Sequence, residues 1–145
     1  MIKNTTTVQN KEPNPSYVAI IDDEQDLVCL FRDALTQVSG VQVIGFTEPM
    51  LALQHFEVNQ SKYEIIISDC RMPAMNGIEL LSRIKEFNPS VMRVLMSAFE
   101  IEDRIFEQFN RVDKFLQKPI KISDLIKEIQ KQLKSTQIRK EVTIT

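Results

Sequence analysis

The chain has little of what disulfide-bonded, zinc-binding or membrane-spanning proteins need. Its 145 residues include two cysteines, one histidine and no tryptophan. Cys29 and Cys70 lack the density and spacing of a disulfide scaffold or a zinc site. Residues 1–16 contain no apolar run, and no stretch reaches the roughly 18 consecutive apolar residues of a membrane-spanning helix. The sequence therefore predicts a cytoplasmic protein without a signal peptide or a membrane span.

A strong net charge is also absent. The 18 basic and 20 acidic side chains give a formal net charge of −2, whereas a nucleic-acid-binding domain normally carries a basic face. Hydrophobic residues make up 43% of the chain and charged residues 26%, as in soluble globular domains. We expect one domain over residues 17–134, preceded by a flexible arm (1–16) and followed by a loose tail (135–145).

Short β-favouring runs alternate with segments of helical periodicity. The runs cover residues 17–21, 41–46, 63–68, 91–96 and 112–116. The third run contains Ile65, Ile66 and Ile67 in succession, which is typical of a central strand buried on both faces. Asp113 and Lys114 interrupt the fifth run, which favours an edge strand. The alternation predicts an α/β fold, a three-layer sandwich around a parallel sheet.

The segments between these runs predict five helices. The first carries apolar residues from Leu27 to Val38 and is expected to end at Gly40. The second opens near Pro49 and the third follows Gly77. Apolar residues between 101 and 109 mark a shorter fourth helix, and Ser123 is expected to cap the fifth. His55, on the second helix, is interpreted as an ordinary surface histidine.

Reactive side chains follow four of the five strands. Asp22 and Asp23 come after the first, Asp69 after the third, Ser97 after the fourth and Lys118 after the fifth. Ligands of open parallel sheets bind at these carboxyl ends. Three convergent carboxylates would repel one another unless a cation such as Mg²⁺ intervenes. A carboxylate in such a site is a potential nucleophile toward phosphorus, with the lysine neutralising phosphoryl oxygens.

Five motifs in this order resemble the receiver domain of two-component response regulators, over roughly residues 17–134. They are Asp22-Asp23-Glu24, Ser68-Asp69-Cys70-Arg71-Met72-Pro73, Met75-Asn76-Gly77, Ser97-Ala98 and Phe115-Leu116-Gln117-Lys118-Pro119. The resemblance implies a flavodoxin-like (βα)5 sandwich with strand order 2-1-3-4-5 and a site between strands one and three.

The resemblance also implies a role for each matching position. Asp69 would accept the phosphoryl group. Mg²⁺ or Mn²⁺ would be held by Asp23, Asp69 and the backbone carbonyl of Arg71, with Asp22 acting mainly through water. Ser97 and Phe115 would form the conformational switch, Lys118 would contact the phosphoryl group, and the peptide bond before Pro119 would be cis.

The resemblance further implies partners. The donor would be a sensor histidine kinase or a phosphotransfer protein. Phosphorylation would change protein contacts, a homodimer among them, at the face of the fourth helix, fifth strand and fifth helix (the α4–β5–α5 face). The downstream partner is not defined, and neither DNA binding nor membrane contact is expected. The chain is a single-domain regulator or a piece of a longer one.

The sequence departs from the family's usual pattern at two places, and three other functions are alternatives to the phosphorylated receiver. The family often has a small Gly-Ala pair before the fifth strand, where this chain has residues 110–114, and Phe115 replaces the more frequent tyrosine. A phosphatase with an aspartate nucleophile would need Asp-x-Asp after strand one, and a flavin binder would need a glycine-rich loop there. A docking receiver that is never phosphorylated would usually lack part of the acidic site. We therefore expect a phosphorylated switch and not an enzyme.

Overall fold

The computed structural model describes residues 15–98 and 112–144, with side chains described as far as residue 135. Its five strands form one sheet in which every neighbouring pair is parallel. The strand order is β2-β1-β3-β4-β5, which confirms the predicted topology. The strands are β1 (Ser16–Ile21), β2 (Val41–Phe46), β3 (Tyr63–Asp69), β4 (Met92–Ser97) and β5 (Lys114–Gln117).

Helices cover both faces of the sheet and complete the three layers. The helices described are α1 (Gln25–Leu35), α2 (Pro49–Val58), α3 (Gly77–Phe87) and a C-terminal helix (Ile122–Ile144). One apolar core packs α1 and the C-terminal helix against the sheet. A second core packs α2 and α3 against the other face. The predicted fourth helix, with its apolar residues between 101 and 109, lies outside the described residues.

The central strand, β3, is buried on both faces and ends in a carboxylate. Ile65, Ile66 and Ile67 of β3 are fully buried, with Ile66 in one core and its two neighbours in the other. This confirms the prediction drawn from the uninterrupted apolar run. After these three residues β3 ends in two buried polar residues, Ser68 and Asp69, so the Asp69 carboxylate lies at the carboxyl end of the strand.

Three local predictions about helix ends were wrong. The C-terminal helix continues to Ile144, although residues 135–145 were expected to be a loose tail. No glycine or proline interrupts the sequence there, so no residue type with a strong bias against helix stops it. Ser123 lies inside this helix and does not cap it. α1 ends at Leu35, and Gly40, with a φ of 79°, instead turns the chain into β2.

The sheet edge carries an ion pair that the sequence analysis did not foresee. β5 lies at the edge as predicted but begins at Lys114. Just before it, the Asp113 carboxylate accepts hydrogen bonds from the backbone N–H of Arg93 at 2.8 Å and from Arg93 Nε at 3.3 Å. Only 6% of the Arg93 side chain is exposed. Asp113 therefore ties β4 to the start of β5.

A helix that crosses a membrane has to be long and apolar. Among the residues described, no helix combines the required length with the required hydropathy. The longest, the C-terminal helix, has 23 residues but carries charged side chains throughout its length.

Candidate functional site

The acidic site lies where the two central strands end. Asp22 and Asp23 follow β1, and Asp69 is the last residue of β3, which pairs directly with β1. Carboxylate oxygens of the three residues lie within 4.8 Å of one another. Asp22 is fully buried, Asp69 is 8% exposed and Asp23 is exposed. The sheet thus brings together the three carboxylates that the sequence placed at strand ends.

A lysine from the edge strand bridges two of these carboxylates. Lys118 follows β5, and its Nζ lies 2.7 Å from Asp22 Oδ2 and 3.2 Å from Asp69 Oδ1. Its backbone N–H donates to the Ser97 carbonyl at 2.7 Å, which anchors it to the end of β4. The peptide bond between Lys118 and Pro119 is cis, as the resemblance implied.

Burial and charge set the protonation of this group of residues. Burial and then the neighbouring Asp22 charge raise the pKa of Asp69, and the Lys118 ammonium only partly offsets them. Burial alone would lower the pKa of Lys118, but its hydrogen bonds and ion pairs with the two carboxylates outweigh this and raise the pKa. The Lys118 ammonium is therefore the positive charge that offsets the repulsion between the neighbouring carboxylates of Asp22 and Asp69.

The loops hold the carboxylates through backbone contacts. Asp22 Oδ1 accepts the backbone N–H of Glu24 at 2.9 Å, just where α1 begins. On the other side, the N-terminus of α3 packs against the end of β3, and a Cβ on Gly77 would lie only 2.1 Å from the Asp69 carbonyl oxygen. Asn76 caps the same helix by accepting the Glu79 N–H at 2.9 Å. Glycine at position 77 thus permits the approach that positions Asp69.

Asp23, Asp69 and Lys118 line an open pocket of about 260 Å³, whereas Asp22 is fully buried behind it. Its remaining walls include Ser97, buried at the end of β4, and Arg71, exposed just after β3. Both were expected at this site. Phe115, on β5, lies apart from the pocket lining and packs against the core beneath α2 and α3. The switch roles of Ser97 and Phe115 and the role of the Arg71 carbonyl as a ligand stay predictions.

The donor set matches the metal that the resemblance implied. Asp22, Asp23 and Asp69 each offer a carboxylate oxygen, and these oxygens lie within 4.8 Å of one another. Mg²⁺ and Mn²⁺ prefer such hard oxygen ligands. The residues present therefore fit a divalent cation of this class.

One residue outside the site has more contacts than its sequence pattern predicted. His55, interpreted as an ordinary surface histidine, is half-buried in an aromatic cluster, and its Nε2 lies 2.7 Å from the Tyr63 hydroxyl. Phe46 and Phe56 complete the cluster, with ring centroids 5.1 and 5.6 Å from the imidazole. The partners of His55 come from two strands and its own helix, so its helical periodicity alone did not indicate the cluster.

Comparison with known proteins identifies the family. Residues 18–130 match the family model described as the response regulator receiver domain. The chain belongs to this family. A two-component response regulator from Arabidopsis thaliana, ARR6, is 32% identical over 125 residues, covering 78% of this chain and 67% of the relative. The transcriptional regulatory protein ZraR from Klebsiella oxytoca is 31% identical over 90 residues, and this chain spans only about 20% of its length.

Solved structures share the receiver fold. An uncharacterized protein from Neptuniibacter caesariensis superimposes with a TM-score of 0.76 at 28% identity, covering 87% of this chain and 93% of that chain. A response regulator receiver domain protein from Clostridium thermocellum gives a TM-score of 0.74 at 22% identity, covering 85% and 98%. The (βα) sandwich and its strand order therefore belong to a known receiver architecture.

Proposed function

We propose that this receiver accepts a phosphoryl group on Asp69 and works as a phosphorylation-dependent switch. The observation that carries the proposal is the Lys118 ammonium, held 3.2 Å from the Asp69 carboxylate within a cluster of three acidic residues. A buried carboxylate beside a fixed positive charge suits attack on a phosphorus atom, because the charge on the transferred group finds an immediate counter-ion.

The reaction assigns a task to each side chain. An Asp69 carboxylate oxygen attacks the phosphorus of a donor, and the donor's leaving group departs with the electrons of the broken bond. Lys118 neutralises one phosphoryl oxygen, and the Ser97 hydroxyl donates a hydrogen bond to another. Asp23, Asp69 and the Arg71 carbonyl would hold Mg²⁺ or Mn²⁺, with Asp22 acting mainly through water, and the ion would further neutralise the phosphoryl oxygens.

The proposed output is a change in protein contacts. When Ser97 moves toward the phosphoryl group, the space it leaves allows Phe115 to turn inward from its half-buried position on β5. The change would reach partners through the α4–β5–α5 face, including a second copy of the chain. The donor would be a sensor histidine kinase or a phosphotransfer protein of the cytoplasm. The relatives' family membership supports this donor class, and the downstream partner is unspecified.

The test is phosphorylation by a small donor. Incubation with phosphoramidate and Mg²⁺ is expected to add one phosphoryl group, acid- and base-labile as an acyl phosphate, detected by intact-protein mass spectrometry. Asp69→Asn is expected to abolish the adduct. Asp33→Asn is the matched control, because the Asp33 side chain is 75% exposed on α1, away from the site. An adduct that persists in Asp69→Asn, or its absence in the wild-type protein, contradicts the proposal.

The same assay separates the alternatives. An enzyme of the phosphatase type would turn over a phosphomonoester many times per protein molecule, whereas a switch stops at one phosphoryl group. A receiver that only docks would take up none. The complete set of acidic residues and lysine supports the switch over both.

A further inference from the structure

A second cavity lies next to the acidic pocket. It has a volume of about 380 Å³, within the size range of small-molecule sites. Its apolar wall consists of Leu27, Leu30 and Phe31 of α1 together with Pro119 and Ile120, which follow Lys118. The Leu30 side chain is unusually exposed for a leucine, at 47%. The cavity is thus an apolar site on an otherwise polar helix surface.

The two cavities share part of their walls. Glu24, Ala98 and Lys118 line both the apolar cavity and the acidic pocket. A molecule whose phosphoryl group contacts Asp69 and Lys118 in the acidic pocket therefore has an apolar space next to it, across the shared wall. Glu24 and Lys118, the charged residues of the cavity wall, lie at this shared border and leave the rest of the lining without charge.

We propose that the apolar cavity binds the hydrocarbon part of an acyl phosphate, so that the receiver reacts preferentially with acyl phosphates of about four carbons or with an aryl group. The inference rests on the proposed function, since it names the donor class for the same site. An aliphatic or phenyl group needs no hydrogen-bond partner, which matches a wall of leucine, phenylalanine, proline and isoleucine side chains.

The transfer step balances without a further reactant. An Asp69 oxygen forms the new bond to phosphorus, and the bond between phosphorus and the acyl oxygen breaks. The acyl group leaves as a carboxylate with the electron pair, so no proton is needed. The Lys118 ammonium at the border faces the phosphoryl group throughout, while the chain of the departing carboxylate stays in the apolar cavity.

The test compares initial rates of Asp69 phosphorylation by acetyl, butyryl and benzoyl phosphate at low, equal concentrations, with phosphoramidate as a donor lacking an acyl group. Each buried methylene contributes about a fourfold gain, so butyryl phosphate, which has two more methylenes, is expected to react about 16-fold faster than acetyl phosphate. Leu30→Gln, at a half-exposed position, is expected to bring this ratio close to one. Leu51→Gln is the matched control, since Leu51 is 54% exposed on α2, outside the cavity.

The outcomes are distinguishable. Equal wild-type rates with acetyl and butyryl phosphate overturn the inference while leaving phosphorylation itself intact. A wild-type preference for butyryl phosphate that survives undiminished in Leu30→Gln also overturns it, because the preference then arises elsewhere. If Leu30→Gln does not fold, Leu27→Asn serves as the second wall variant. If phosphoramidate and the acyl phosphates all fail to modify the wild-type protein, the proposed function fails and this inference fails with it.

Discussion

Substituting Gly77 by alanine tests how the fold positions the proposed phosphoacceptor. The added Cβ would lie 2.1 Å from the Asp69 carbonyl oxygen, whereas real Cβ contacts essentially never fall below 3.0 Å. Because the obstacle is backbone, no side-chain rotation can relieve it. The start of α3 or the end of β3 must therefore move by about 0.9 Å, the difference between these two distances.

This displacement has a cost in stability and a cost in reaction rate. Overpacking of this kind lowers the free energy of unfolding by about 1–3 kcal/mol, which corresponds to a fall in Tm of roughly 3–10 °C for a domain of this size. A misplacement near 1 Å of a reacting group slows a reaction by up to about 100-fold. We expect Gly77→Ala to slow phosphorylation of Asp69 by about 10- to 100-fold.

A second glycine separates the two effects. Gly40 has a φ of 79° and open space around its missing Cβ, so Gly40→Ala costs about 1–2 kcal/mol through left-handed backbone alone. Urea unfolding and initial phosphorylation rates by phosphoramidate measure both variants. Only Gly77→Ala is expected to lose rate as well as stability. Wild-type stability and rate in Gly77→Ala, or equal rate losses in both variants, refute the reasoning.

Three further predictions concern stability. Asp113→Ala leaves the guanidinium of Arg93 buried without its carboxylate partner. It should lower the free energy of unfolding by about 2–4 kcal/mol in urea denaturation, somewhat less than the loss of a fully buried pair. A loss below about 1 kcal/mol, as for an exposed pair, contradicts this prediction. Asn76→Ala removes the cap of α3 and should cost about 1 kcal/mol by the same measurement, whereas Asn76→Asp should keep most of it. Burial, with a smaller contribution from Lys62, lowers the pKa of His55 below its usual 6.5. The folded state then binds a proton less readily than the unfolded state, so the His55 contribution to stability is complete above pH 6.5 and should be lost progressively as the pH falls below it. His55→Gln should flatten this dependence, and an unchanged pH profile in that variant contradicts the assignment.

The features that could be predicted from the sequence are those that depend on residues close together along the chain. The Ile65–Ile67 run identified the buried central strand, and the strand alternation led to the parallel sheet. Once the sheet was assumed, residues following strand ends had to meet at one edge. This is why Asp22, Asp69 and Lys118 were found without knowledge of any distance.

Features that depend on contacts between distant segments were missed. The Arg93–Asp113 pair joins two strands and has no periodic signal, and the same holds for His55 and Tyr63. The apolar cavity was hidden because Leu27, Leu30 and Phe31 have the spacing of an ordinary core-facing helix. Only the three-dimensional course of the residues around Pro119 shows that part of this face lines an open cavity.

The most direct test of the central claim is the phosphoryl content of the protein after treatment with phosphoramidate and Mg²⁺. The account predicts one phosphoryl group per wild-type chain, assigned by peptide mass spectrometry to Asp69, and a strong decrease in Lys118→Met, which lacks the ammonium 3.2 Å from that carboxylate. A phosphoryl group on any other residue, or full and equally rapid modification of Lys118→Met, contradicts it.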